Sequence, residues 1–159
     1  MIRNAIFSND RKYRYLLERS WSNEENLLIM MLNPSNADEF KDDHTIKKCI
    51  KISRNFNFGG ITVINLFGYI TSSPNDLLNV NDNIGHDNDK YIFDTVSRFY
   101  KMLCAWGSSF NVQKRIYELK SIFCKLDLYC LYTNKDKSPR HPCRSRIPDK
   151  LSRFKIIDI

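Results

Sequence analysis

The sequence predicts an α/β fold. The expected form is a three-layer α/β/α sandwich around a central, mostly parallel four-stranded sheet, with one further edge strand near the N-terminus. Three observations lead there. Four apolar runs, Leu27–Leu32, Ile61–Leu66, Tyr100–Ala105 and Leu126–Leu131, are too short for helices and have little polar alternation. That is the pattern of strands buried on both faces of a parallel sheet. Between the runs, apolar residues recur at helical spacing, so helices fill the crossovers and cover both faces of the sheet. The runs also stop abruptly, at Asn33–Pro34–Ser35, Phe67–Gly68–Tyr69 and Trp106–Gly107–Ser108, while the fourth leads into the basic loop 133–146.

In chain order, Arg11–Trp21 is aromatic with partial alternation (Tyr13, Tyr15, Leu17) and breaks at Ser22–Glu25, which reads as the edge strand and a turn. Leu27–Leu32 is the first buried strand. Asp42–Asp43 offers an N-cap, and Ile46, Cys49, Ile50 and Phe56 fall at helical spacing behind it. Asn57–Phe58–Gly59–Gly60 stops that helix. After the second strand, Ser73–Pro74–Asn75–Asp76 opens a short helical turn. Residues 87–99 form a helix carrying Tyr91, Ile92 and Val96. After the third strand, Val112, Ile116, Leu119 and Phe123 mark another helix.

At 159 residues the chain suits a single domain, 1–159, with a core that needs no staples. A 42% hydrophobic content with 13% aromatics excludes a disordered class. The longest apolar stretch is too short to span a bilayer, and residues 1–10 do not resemble a signal peptide, so a cytoplasmic protein without membrane contact is expected. The five cysteines are odd in number and form no C-x-x-C pair, and the three histidines are scattered. A disulfide framework and a metal site are therefore not expected. Cys143 close to His141 is a weak candidate nucleophile pair. There is no G-x-G-x-x-G or G-K-[ST] loop, so no cofactor is expected.

The formal net charge is +7, and its distribution is uneven. Residues 133–159 hold eight Lys/Arg against three Asp, whereas residues 75–94 hold five Asp against one Lys. A basic end of this kind fits a polyanionic partner such as nucleic acid, although mildly basic proteins are common.

The strand ends carry a resemblance. The motifs N-P-S-x-A-D (Asn33–Asp38), D-D-x-T (Asp42–Thr45), G-F-G-G (here Phe58–Gly59–Gly60, after Asn57), N-L-F (Asn65–Phe67), A-W-G (Ala105–Gly107) and P-R-H-P (Pro139–Pro142) resemble an uncharacterised bacterial and phage family over residues 12–143. Their order is similar to that of the uracil-DNA glycosylase superfamily. There the first strand ends in N-P or D-P, a middle strand in a base-reading Asn, a later one in W-G, and the last loop carries H-P-S-P.

The resemblance implies roles for particular residues, each beside a plainer one. Asn33, braced by Pro34 and followed by Ser35, would position the attacking water, or it caps a turn. Asp43 would polarise that water, or it caps the following helix. Asn65 would read the base edge, or it ties down a neighbouring loop. Phe67 or Tyr69 would stack on the base, or they belong to the core, and Trp106 would pack beneath the site. His141 would donate to the leaving base, or it contacts phosphate. Arg140 and Arg144 would grip phosphates, and Arg144 or Arg146 could fill the gap left by an extruded base. Cys143–Arg144 stands where the repair enzymes have S-P, and no Tyr follows Pro34, so uracil specificity is not implied.

The expected function is a monofunctional DNA glycosylase acting on a damaged or modified base in repair or in defence against modified phage DNA. The expected partner is DNA, bound by a monomer. The alternatives are a non-catalytic nucleic-acid binder and a nucleoside- or nucleotide-processing enzyme using the same pocket.

Overall fold

The computed structural model describes residues 1–156, so Asp158 of the basic C-terminal segment lies outside the described residues. The class is α/β, but the sheet differs from the four-stranded, mostly parallel one expected from the apolar runs. It is a seven-stranded mixed sheet, in the order β1-β2-β4-β3-β5-β6-β7. The strands are β1 (Ile2–Phe7), β2 (Arg14–Ser20), β3 (Asn26–Met31), β4 (Gly60–Asn65), β5 (Lys101–Cys104), β6 (Asp127–Cys130) and β7 (Ser152–Arg153). The pairs β3–β4, β3–β5 and β5–β6 are parallel, and β1–β2, β2–β4 and β6–β7 are antiparallel.

The strand expected at the N-terminal edge, β2, is an interior strand, because β1 pairs along its outer side. β1 was not legible because its edge position leaves Ile2, Arg3 and Asn4 exposed, which removes the apolar signature of a buried strand. β7 is two exposed residues long and has no pattern to read.

The core splits by the alternation of the strands. Along β3 and the residue after it, Leu28, Met30 and Leu32 face one apolar cluster, and Leu27, Ile29 and Met31 face the other. The first cluster is closed by α2 (Asn88–Val96), α3 (Gln113–Glu118) and α4 (Lys120–Phe123), through Ile92, Ile116 and Phe123. The second is closed by α1 (His44–Asn55), through Ile46, Cys49 and Ile52. Each Ile or Phe side chain among these, removed from water, contributes roughly 1.5–3 kcal/mol. The helix expected across 112–123 is broken at Leu119 into α3 and α4.

The ends of α1 follow from local chemistry. Asp43 has an extended backbone, and its carboxylate accepts the Ile46 N–H at 2.9 Å. At the other end Asn57 takes φ +61°. The Phe58 N–H then reaches Ser53 O (3.0 Å) and the Asn57 N–H reaches Arg54 O (3.1 Å), satisfying two of the last carbonyls. The glycines that follow serve close packing: a Cβ on Gly59 would lie 2.3 Å from Glu24 O.

Candidate active site

The chain runs from β3 to β4 on one side, then crosses back over to β5 on the other. In such sheets the loops leaving the carboxyl ends of the strands diverge at the point of reversal and leave a crevice between them. A cavity of about 510 Å³ opens there. Its wall comes from the loop after β3, the first turn of α1, the end of β4, the loop after β5 and the basic loop after β6. The β3–β4 register, with Met31 opposite Asn65, sets Asn65 level with the approach to Asn33.

Asn33, Ser35, Asp43, Asn65, Arg140, His141 and Arg144 all line this cavity. Asn33 also ties down its own loop: its Nδ2 donates to Pro34 O (2.9 Å) and Thr71 O (2.8 Å). With both amide hydrogens engaged, Oδ1 is the remaining group, an acceptor suited to a water hydrogen. Pro34 lies behind the wall, its carbonyl accepting the Thr71 N–H at 3.0 Å. Asp43 is at once the α1 cap and the one carboxylate in the cavity wall among the described residues. One of its oxygens serves the cap, which leaves the other for the cavity.

Asn65 is 2% exposed and lines the cavity. Its strand end is held from behind. Asn88 Nδ2 donates to Asn65 O (3.1 Å), and the buried Arg115 donates from Nε to Leu66 O (2.7 Å) while pairing with Asp89. Asn65 is thereby presented on a fixed backbone.

His141 caps the 3-10 turn Pro142–Arg144, its Nδ1 accepting the Cys143 N–H at 3.2 Å. That bond assigns the proton of the neutral ring to Nε2. Burial, and then the Arg144 charge, lower the His141 pKa below 6.5, with Asp43 opposing them. The ring is therefore a neutral hydrogen-bond donor at pH 7. Its loop is pinned to the neighbouring one by the Gly107 N–H on Pro139 O (2.9 Å). Gly107 takes φ +77°, a conformation open to glycine, and a Cβ there would sit 3.5 Å from His141 Cβ. Thr45 Oγ1 and Cys143 Sγ, 3.2 Å apart, join the same loop to α1.

Two expected stacking residues lie elsewhere. Phe67 is buried in the core, edge-on to Phe110 at 5.3 Å. Tyr69 packs edge-on against Tyr13 at 5.8 Å, where its backbone bridges that of Tyr13. The chain beyond β4 turns back towards β2 and the 82–84 loop, with Gly68 N–H on Ile84 O (2.9 Å), and this carries both rings away from the cavity. The aromatic wall is Trp106, set edge-on between Phe123 and Phe154. Arg146 is also outside the wall, donating from Nε to Tyr132 Oη at 3.1 Å.

Sequence reasoning missed Arg14, which lines the cavity from β2 although it is only 3% exposed. Its Nη1 donates to Ala37 O at 2.7 Å, while its Nε has no partner among the described residues. Burial pushes its pKa down to about 10, against the opposing fields of Asp43 and Asp38. The available signal was its place between Tyr13 and Tyr15, in a strand that also carries Glu18 and Arg19. Thr45, Thr71 and Ser108 were missed as lining residues and carry no such signal.

Among the described residues no group of three His, Cys, Asp or Glu side chains could hold a metal ion. No helix among them is long and apolar enough to cross a membrane. No curated protein and no solved structure matches the chain. Residues 14–143, which include every residue of the cavity wall named above except Arg144, match one family, and the chain belongs to it: the family described as protein of unknown function, DUF1643.

Proposed function

We propose that the cavity is the active site of a monofunctional N-glycosidic bond hydrolase of the DNA-glycosylase type, taking a damaged or modified base extruded from DNA. The observation that carries this reading is the convergence of Asn33, Asp43, Asn65 and a neutral His141 on one cavity beyond the carboxyl ends of the parallel strands. Hydrolysis of such a bond passes through an oxocarbenium-like sugar and a departing base that carries the bonding electron pair. A water placed by Asn33 Oδ1 and the free oxygen of Asp43 attacks the sugar carbon, giving up its proton to Asp43. The His141 Nε2–H donates to the base oxygen on which charge develops. Asn65 offers both a donor and an acceptor to the base edge. Arg140 and Arg144, beside the cavity, suit backbone phosphates. Repair and defence against modified phage DNA are both roles for this activity.

The test is incubation of the protein with a panel of duplex and single-stranded DNAs, each carrying one modified base, followed by alkali. Strand cleavage at one position, dependent on protein, is the expected result. A panel that yields no abasic site, with DNA binding intact, transfers the cavity to the non-catalytic binding reading. The same panel with cleavage seen only on free nucleosides transfers it to a nucleoside-processing enzyme.

A further inference from the structure

Arg14 is at odds with its surroundings unless a ligand completes them. It is buried, and among the described residues no carboxylate pairs with it and its Nε–H has no acceptor. The other deeply buried arginines are satisfied: Arg19 pairs with Asp42 and donates to Glu18 O and Asp38 O, and Arg115 has Leu66 O, Asp89 and Glu118. Arg14 differs from both in one further respect, which is that it lines the cavity. The same cavity takes the N-terminal turn of α1 through Thr45 and Ile46, the positive end of a twelve-residue helix. Around it stand three arginines, Arg14, Arg140 and Arg144, against one acid, Asp43.

We propose that Arg14 forms an oxyanion subsite at the inner end of the cavity, so that the ligand carries a negatively charged, oxygen-bearing group at the end that enters first. The guanidinium fork presents parallel N–H donors matched to two oxygens of one phosphoryl or carboxylate group, and burial strengthens that pairing. A DNA backbone phosphate cannot supply this group, since the backbone stays outside while Arg14 is 3% exposed. The group belongs either to a substituent on an extruded base or to the phosphoryl of a free nucleotide. The subsite does not depend on whether the cavity breaks a glycosidic bond, so it can hold or fail independently of the proposed activity.

The first probe is inorganic phosphate, titrated calorimetrically into the full chain at low ionic strength. One binding event is expected, weakened at least tenfold by Arg14→Lys, which keeps the charge and loses the fork, and abolished by Arg14→Met. Arg54→Ala, at the exposed end of α1, should bind as wild type does. Equal affinity in wild type and Arg14→Met, or no binding to wild type, overturns the proposal. Should these variants fail to fold, wild-type protein suffices. The Arg14 Nε–H resonance in a nitrogen-15 spectrum should move on phosphate addition, while that of Arg115, already bonded to Leu66 O, should not. An unmoved Arg14 resonance overturns the proposal as well. Two further ligands assign the source. A 5′-mononucleotide that binds tighter than phosphate assigns the group to a free nucleotide. An oligonucleotide bearing a 5-carboxypyrimidine, bound more tightly than its unmodified counterpart in wild type but not in Arg14→Lys, assigns it to the base.

Discussion

His141 shows how one side chain is prepared by its neighbours. The Cys143 N–H fixes its tautomer, and burial with Arg144 holds it neutral. The same preparation has a cost in acid. In the unfolded chain His141 takes up a proton near 6.5, and in the folded chain only at lower pH. Between those two values the unfolded state binds more protons, so stability is full above about pH 6.5 and declines as pH falls through that window. Thermal unfolding followed across that window should show a falling midpoint, and His141→Gln should flatten the slope. An unchanged slope in that variant would assign the acid sensitivity to other groups. His141 was legible in the sequence because Pro139 and Pro142 and the basic loop mark it. Arg14 was not, because its meaning comes from missing partners, and a missing partner is a property of three-dimensional neighbours.

Among the elements, α1 carries the most compact statement about the site. Its N-cap and the cavity carboxylate are the same residue, Asp43, so the two readings of that residue from sequence are compatible in space. Their contributions separate by substitution. Asn caps helices about as well as Asp, so Asp43→Asn should leave stability within a few tenths of a kcal/mol, whereas Asp43→Ala should lose roughly 0.5–2 kcal/mol. If Asp43 also polarises the attacking water, Asp43→Asn should lower base release by at least tenfold despite its normal stability. Denaturant melts beside single-turnover rates decide this: a fully active Asp43→Asn leaves only the cap. The cap was readable because an acid before an amphipathic run is a local signal. The path beyond β4, which takes Phe67 and Tyr69 into packing, was not, because an aromatic after a strand looks alike whether it meets the core or a cavity.

At the scale of the molecule, the apolar runs located β3, β4, β5 and β6 and so the edge at which the cavity forms. They could not locate β1 and β7, since outer strands keep one side in water and lose the continuous apolar pattern. The mixed seven-stranded sheet follows from those additions. Charge is the other whole-molecule property. With a basic segment beyond residue 133 and Arg140 and Arg144 beside the cavity, DNA affinity should fall with salt. The slope of log K against log salt is roughly −0.9 per phosphate neutralised on duplex. Arg144→Ala should reduce that slope by about one phosphate's worth, measured by anisotropy at several salt concentrations. A salt-independent affinity would remove DNA as the polyanion.

The most direct measurement is single-turnover base release by Asn33→Ala and His141→Ala, set beside their equilibrium DNA binding, on the best substrate from the modified-base panel. Both side chains are aimed at the reacting atoms and neither is a phosphate contact in this account. Each variant should therefore bind DNA nearly as wild type does and release base roughly 10²–10³ times more slowly, the usual scale for losing one preorganised polar group at a developing charge. Wild-type rates in both variants would contradict the account.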